Sequence, residues 1–317
     1  MKKSIFYLWT FCIAIFCITG CKVKQDSSIS PPETAIKSFP KFLNEGHRGA
    51  SGLMPENTIP AMIKAIEEGA NVIEVDVHIS KDNQVVVTHD PQINRSISLL
   101  PNGEELEEGD TKKQFVYQMK YSEIRKFDVG TRFYSKFPDQ ESKKAYIPLL
   151  SELIDSVEQF TADYNYPQVI YNIEIKATPG KDGIYQPAPS EFVDLVMEVV
   201  RKKDLGNNRY YLQSFDIKLL QQIKRQYPNV ITGFLTGSKE FSLEKNINLL
   251  GFTPQIYSPN FSLAKIELIE KSHRLGMKFV PWTVNSKADM ERLIEMGVDG
   301  IITDYPDRLN QLINLNK

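Results

Sequence analysis

From Phe42 to the C terminus, short apolar runs alternate with amphipathic stretches of helical period. No other feature of the 317 residues constrains the fold as much. Nine runs read as strands: Gly46–Gly49, Val72–His78, Gln84–His89, Val169–Lys176, Arg209–Phe215, Val230–Leu235, Gln255–Pro259, Lys278–Val284 and Gly300–Asp304. Helical patterns fill most of the gaps, among them Thr58–Glu68, Ser190–Lys203, Ile217–Tyr227, Leu263–Leu275 and Lys287–Met296. Such alternation predicts a parallel sheet covered by helices. Only Ile79 to Asn83 separate the second run from the third. A parallel crossover needs about a dozen residues or more, so these two runs form a hairpin. Eight parallel strands remain, closed by a last helix near Asp307–Leu315. The pattern predicts a (β/α)8 TIM barrel, with a doubly wound open sheet as the alternative.

The ends of the chain obey other rules. Lys2 and Lys3 precede an apolar run from Ile5 to Ile18, shorter than the roughly 20 residues of a spanning helix. Residues 1–20 therefore read as a secretory signal. Ile18-Thr19-Gly20-Cys21 resembles a bacterial lipoprotein signal, which implies cleavage before Cys21 and a lipid on its thiol. The expected location is then outside the cytoplasm, lipid-anchored to a bacterial membrane on its periplasmic or cell-surface side. The other cysteines, Cys12 and Cys17, leave with the signal, so no disulfide or thiolate chemistry is expected in the domain. Residues 21–40 are polar and read as a tether, and 41–317 as the barrel domain. A formal charge of −2 gives no basic face for nucleic acid. Nothing in the sequence points to an obligate protein partner.

Residues 91–145 break the rhythm with a polar, charged tract and a possible helix over Tyr117–Phe127. A connection this long inside a domain is functional or a solvated decoration. It follows a strand end, where a barrel carries its active-site loops.

Four histidines are present, and His47 and His89 end strand-like runs. In a barrel such positions lie at the catalytic mouth, where a histidine pair can serve as general base and general acid. His78 is a candidate for the rim, and His273, inside a helix pattern, reads as structural. Strand side chains alternate with period two, so Glu74 and Asp76 share one face of Val72–His78. Asn172, Glu174 and Lys176 likewise share one face of their run. Carboxylates converging inside a barrel repel unless a cation sits among them. Mg²⁺ or Ca²⁺ fits such oxygen ligands, and salt-bridged carboxylates are the other reading. Arg48 offers a fork that suits phosphate, and Lys176 a second cation. The inventory suits metal-assisted cleavage of a phosphate ester. P-loop, G-x-S-x-G and H-E-x-x-H motifs are all missing.

His47-Arg48-Gly49, Pro55-Glu56-Asn57-Thr58, Glu74-x-Asp76, Thr88-His89-Asp90 and Asn172-x-Glu174-x-Lys176 occur in that order. Leu212-Gln213-Ser214-Phe215, Pro281-Trp282-Thr283-Val284-Asn285 and Gly300-Ile301-Ile302-Thr303-Asp304-Tyr305-Pro306 follow them. The ordered set resembles the glycerophosphodiester phosphodiesterase family over about residues 42–310. That resemblance implies a barrel of the phosphatidylinositol-phospholipase-C-like type. It also implies hydrolysis of glycerophosphodiesters to glycerol phosphate and an alcohol with a divalent cation. By the same resemblance His47 and His89 are the acid–base pair, and Glu74, Asp76 and Glu174 the metal ligands. Arg48 and Lys176 would hold the phosphate, with Phe215 and Trp282 beside the substrate. The segment Pro91 to Ser96 departs from the family pattern, which leaves the head group open. Two further readings are a hydrolase of intact lipid or wall glycerol-phosphate polymer, and a non-catalytic lipoprotein that binds polyol phosphates.

Overall fold

The computed structural model describes residues 30–107, 109 and 114–315. The strands are β1 (Leu43–Gly46), β2 (Val72–Ile79), β3 (Val85–Val87), β4 (Ile170–Ile175) and β5 (Tyr210–Ser214), followed by β6 (Thr232–Thr236), β7 (Ile256–Pro259), β8 (Lys278–Phe279) and β9 (Gly300–Thr303). Eight of them run parallel in the order β8-β7-β6-β5-β4-β2-β1-β9. Backbone bonds of 3.0 Å from Asp299 N to Phe279 O and from Ile302 N to Pro281 O bridge β8 to β9. The structure is therefore the expected eight-stranded barrel, nearly closed. As expected too, β3 pairs antiparallel with β2 and stands outside the ring.

Helices cover the outside: α1 (Ile59–Glu67), α2 (Leu150–Asp163), α3 (Pro189–Lys202), α4 (Ile217–Gln226), α5 (Leu243–Leu250), α6 (Ile266–Arg274), α7 (Lys287–Glu295) and α8 (Pro306–Leu315). Side chains start several of them. Thr58 accepts from Ala61 N, Asp216 from Lys218 N and Leu219 N, and Ser286 from Asp289 N. These bonds satisfy amide groups that have no partner inside the helix. The apolar stripes of the helices meet the outward faces of the strands. Met62, Ala65 and Ile66 of α1 join Ile73, Val75 and Val77 of β2 in one core.

The inward faces differ from end to end. At the strand N termini, Leu43, Val72, Ile170 and Ile256 form an apolar layer. Part of the expected tether belongs to that layer, which corrects its boundary. Pro32–Ala35 forms one helical turn and Ile36–Ser38 a 3-10 turn, and Ala35, Ile36 and Phe39 are buried on the layer. Phe39 lies 6.2 Å from Tyr211, ring to ring. Three apolar residues within a polar segment were enough to seal the barrel floor. Burying Phe39 is worth about 1.5–3 kcal/mol.

The segment after β3 has a small core of its own. Ile93, Leu106, Val116, Ile124, Phe127 and Val129 pack with Val86 and Ile147. Its helix is one turn, Tyr121–Ile124, rather than the longer one expected. The signal and Cys21 lie outside the described residues. Among the described residues, no helix is long and apolar enough to cross a membrane.

Candidate active site

The chain leaves β1 through an abrupt turn. Strand pairing ends at Gly46, earlier than the predicted run, and Arg48, Gly49 and Asn57 all have positive φ. Gly49 sits at +85°, and a Cβ there would stand 2.5 Å from the backbone of Ala61. A Cβ on Gly52 would meet the Tyr305 ring at 2.4 Å. These glycines permit close packing of α1 and Tyr305. The turn aims the Arg48 backbone N–H at Glu74 Oε2, 2.8 Å away.

Glu74, Asp76 and Glu174 converge as their strand faces required. Register places Asp76 beside Glu174, and one oxygen from each of the three carboxylates lies within 4.8 Å of the others. All three side chains are buried. Burial, with repulsion from Asp76 and Glu174, pushes Glu74 well above the ordinary carboxylate range. Burial also raises Glu174, against the pull of Lys176. Asp76 alone is held low: Lys176 and Arg48 outweigh its burial. Arg48 Nε lies 3.2 Å from Asp76 and its Nη1 2.8 Å from Glu56, while Lys176 Nζ lies 2.7 Å from Glu174 and 3.5 Å from Asp76. Asn57 donates to Asp76 at 2.8 Å. Two cations therefore face four buried carboxylates, and the site is short of positive charge. Glu74 Oε1 is buried without a hydrogen-bond partner. A hard divalent cation fits that all-oxygen donor set and that orphaned oxygen.

Each candidate catalytic histidine leans on a carboxylate. His47 Nδ1 meets Asp304 Oδ1 at 2.5 Å, and Asp304 also accepts from Ser51 at 2.6 Å and Asn285 at 2.7 Å. Burial would raise Asp304, but the His47 charge and these three donors hold it well below the usual range. His89 Nδ1 meets Asp90 Oδ1 at 2.8 Å, and Asn94 donates to the other oxygen at 2.7 Å. In both rings the bond at Nδ1 leaves Nε2 for proton transfer.

His47, Arg48, Glu74, His89, Glu174 and Lys176 line one cavity of about 230 Å³. Phe215 and Trp282 stand at its side, edge to face with centroids 5.3 Å apart. Trp282 donates to Ser258 O at 2.8 Å, and Lys176 Nζ lies 5.8 Å from the Phe215 centroid. Every residue assigned to the site by sequence, Cys21 apart, borders this cavity or its acidic floor.

His78 does not reach the rim. It is buried, its Nε2 donates to His89 O at 3.0 Å, and burial lowers it to about 4, so it stays neutral. Its part is to hold the backbone of His89. His273 pairs with Asp299 at 2.7 Å on the outside. Sequence reasoning assigned no role to Asp304, Asp90 or Glu56, although each stands in a quoted motif. It passed over Lys136, which borders the cavity from the segment inserted after β3, about residues 91–145. It also missed Glu45, buried on β1 between Tyr211 at 2.7 Å and Asn172 at 3.0 Å. Burial outweighs those two bonds and raises Glu45 to about 7. Period-two reading of β1 from Leu43 would have pointed it inward.

Known proteins resemble this chain in sequence and fold. The family model described as "Glycerophosphoryl diester phosphodiesterase family" matches residues 47–308. A Caldanaerobacter subterraneus glycerophosphodiester phosphodiesterase is 33% identical over 277 residues, 86% of this chain and 98% of that protein. A Silicibacter pomeroyi protein assigned as a glycerophosphoryl diester phosphodiesterase superposes with TM-score 0.77 at 31% identity, covering 88% of this chain and 95% of its own. An Oleispira antarctica phosphodiesterase, solved with the product sn-glycerol-3-phosphate, shares the fold with TM-score 0.68 at 22% identity, covering 88% and 99%.

Proposed function

The chain belongs to the glycerophosphoryl diester phosphodiesterase family and is an enzyme of that class, and from that premise we propose how its site works and on what. Small soluble glycerophosphodiesters are cleaved to glycerol phosphate and an alcohol. The observation that carries this reading is the pair of carboxylate-braced histidines facing one cavity with the acidic cluster, Arg48 and Lys176. The sn-glycerol-3-phosphate product held by the Oleispira antarctica relative supports the substrate class.

Arg48 and Lys176 hold the phosphate by charge, and Phe215 with Trp282 offers an apolar wall to the neutral part of the substrate. His47 takes the proton of the attacking hydroxyl as its oxygen bonds to phosphorus. The bond from phosphorus to the alcohol oxygen breaks, and His89 gives that oxygen a proton. Asp304 and Asp90 fix the two rings and stabilise whichever is charged. The nucleophile is water or the glycerol 2-hydroxyl; trapping in labelled water separates the two. Glu74, Asp76 and Glu174 would hold Mg²⁺ or Ca²⁺, which when bound supplies electrostatic stabilisation of charge on the phosphoryl oxygens.

The direct test is release of phosphomonoester from a panel of glycerophosphodiesters, before and after thorough chelation. We expect turnover that chelation abolishes and either cation restores. Turnover untouched by chelation refutes the metal role, and binding without turnover refutes the enzyme in favour of a polyol-phosphate binder. The lipid anchor rests on Ile18-Thr19-Gly20-Cys21 alone. Cys21→Ser is expected to move the exported protein from the membrane fraction to the soluble one.

A further inference from the structure

We propose that Lys136 makes the enzyme selective for glycerophosphodiesters whose alcohol carries a second anionic group. The inference rests on the phosphodiesterase reading and deepens it.

Lys136 is the only side chain that the inserted segment contributes to the cavity lining among the described residues. Its place is set by firm anchors. The next residue, Phe137, is buried and meets the rings of Tyr134 and Tyr305 edge-on at 5.6 and 6.2 Å. Gln140 donates to Ser51 O at 2.6 Å and Met54 O at 3.0 Å, and Glu141 N donates to Leu53 O at 2.9 Å. The segment is thus fastened to the turn that carries His47 and Arg48.

The three cations of the cavity are in different states. Arg48 pairs with Glu56 and Asp76, and Lys176 with Glu174 and Asp76, so both share their charge between these carboxylates and the scissile phosphate. Lys136 forms no ion pair with any described carboxylate, and its Nζ lies 4.6 Å from the centroid of the Phe137 ring. A cation held near a site without a carboxylate leaves its charge available to the ligand.

Which half of the substrate receives that charge follows from chemistry. The glycerol half is neutral in every substrate of this class, so a cation has nothing to select there. Its C–H edges can lie against the rings of Phe215 and Trp282. Lys136 then falls to the variable half, the alcohol. A phosphate or carboxylate on that alcohol gains a charge-assisted bond. A quaternary ammonium there meets repulsion instead.

The test compares glycerophosphoglycerol with the same diester carrying a terminal phosphomonoester, using the full chain. The readout is the ratio of the two kcat/KM values at low and high salt. We expect the wild-type protein to favour the phosphorylated compound about 10- to 100-fold at low salt, less at high salt. Lys136→Met should bring the ratio to about one, and Lys136→Glu should invert it in favour of the compound without the second phosphate. Because only the ratio is read, a uniform loss from misfolding cannot imitate this result. A wild-type ratio near one, or a ratio that Lys136→Met leaves in place, overturns the proposal alone. No turnover of either compound overturns the phosphodiesterase reading and this proposal with it.

Discussion

The two histidines proposed as the acid–base pair rest on two kinds of support. His47 and Asp304 are 257 residues apart and meet only because β1 and β9 are neighbours. Their side chains are 15% and 2% exposed, and Asp304 gathers three donors. His89 and Asp90 are adjacent in sequence, both 32% exposed, with Asn94 as the one further donor to Asp90. The first dyad is a product of the closed barrel, and the second of a local turn. A group held by the whole fold cannot be disturbed without cost to the fold, whereas a local turn can drift with its segment.

The largest expected effect breaks both sites alike. His47→Ala and His89→Ala should each lower kcat by about 10²–10⁴-fold, seen in single-turnover kinetics. Full turnover by either variant ends the acid–base pair. Next comes the asymmetry. Asp304→Asn should cost about 10²-fold or more in kcat and about 1–3 kcal/mol in urea melts, since Ser51 and Asn285 lose a charged acceptor. Asp90→Asn should cost about tenfold in kcat and under about 1 kcal/mol. Equal losses in stability would show that the barrel support has no special weight.

The pH dependence sharpens the same contrast. Asp304 is held low in the folded state. Its contribution is present above the unfolded value near 4 and fades as pH falls through the folded value. The stability gap between wild type and Asp304→Asn should therefore be full at pH 7 and shrink below about pH 4. A gap that stays constant to pH 2 counts against a buried charged acceptor. The smallest effect belongs to Asn94→Ala, a few-fold in kcat and within about 0.5 kcal/mol in stability. A loss as large as that of Asp304→Asn would place Asn94 in a network that the structure does not show.

The same contrast explains what could be read from sequence. Hairpin exclusion reduced nine runs to eight because Ile79 to Asn83 cannot cross a sheet. Period-two alternation put Glu74, Asp76 and Glu174 together because strand faces are a local property. Partners set by ring closure were not legible in that way, and Asp304 reached His47 only when β9 met β1. Lys136 depends on how an irregular segment folds back onto residues 51–54, which no period encodes. His78 obeyed the alternation yet turned to a backbone carbonyl, since its position along β2 could not tell rim from support. The floor of the barrel was hidden by average polarity, in which Ala35, Ile36 and Phe39 are a minority.

That floor gives the molecule a direction. Residues 32–39 seal the end of the barrel opposite the catalytic mouth, so the N-terminal segment enters from below. With a lipid on Cys21, the membrane would lie on the side of this closed base. The enzyme would then stand on its closed base like a cup on a short stem. Its opening would face the surrounding water and draw on dissolved diesters before the lipids beneath it.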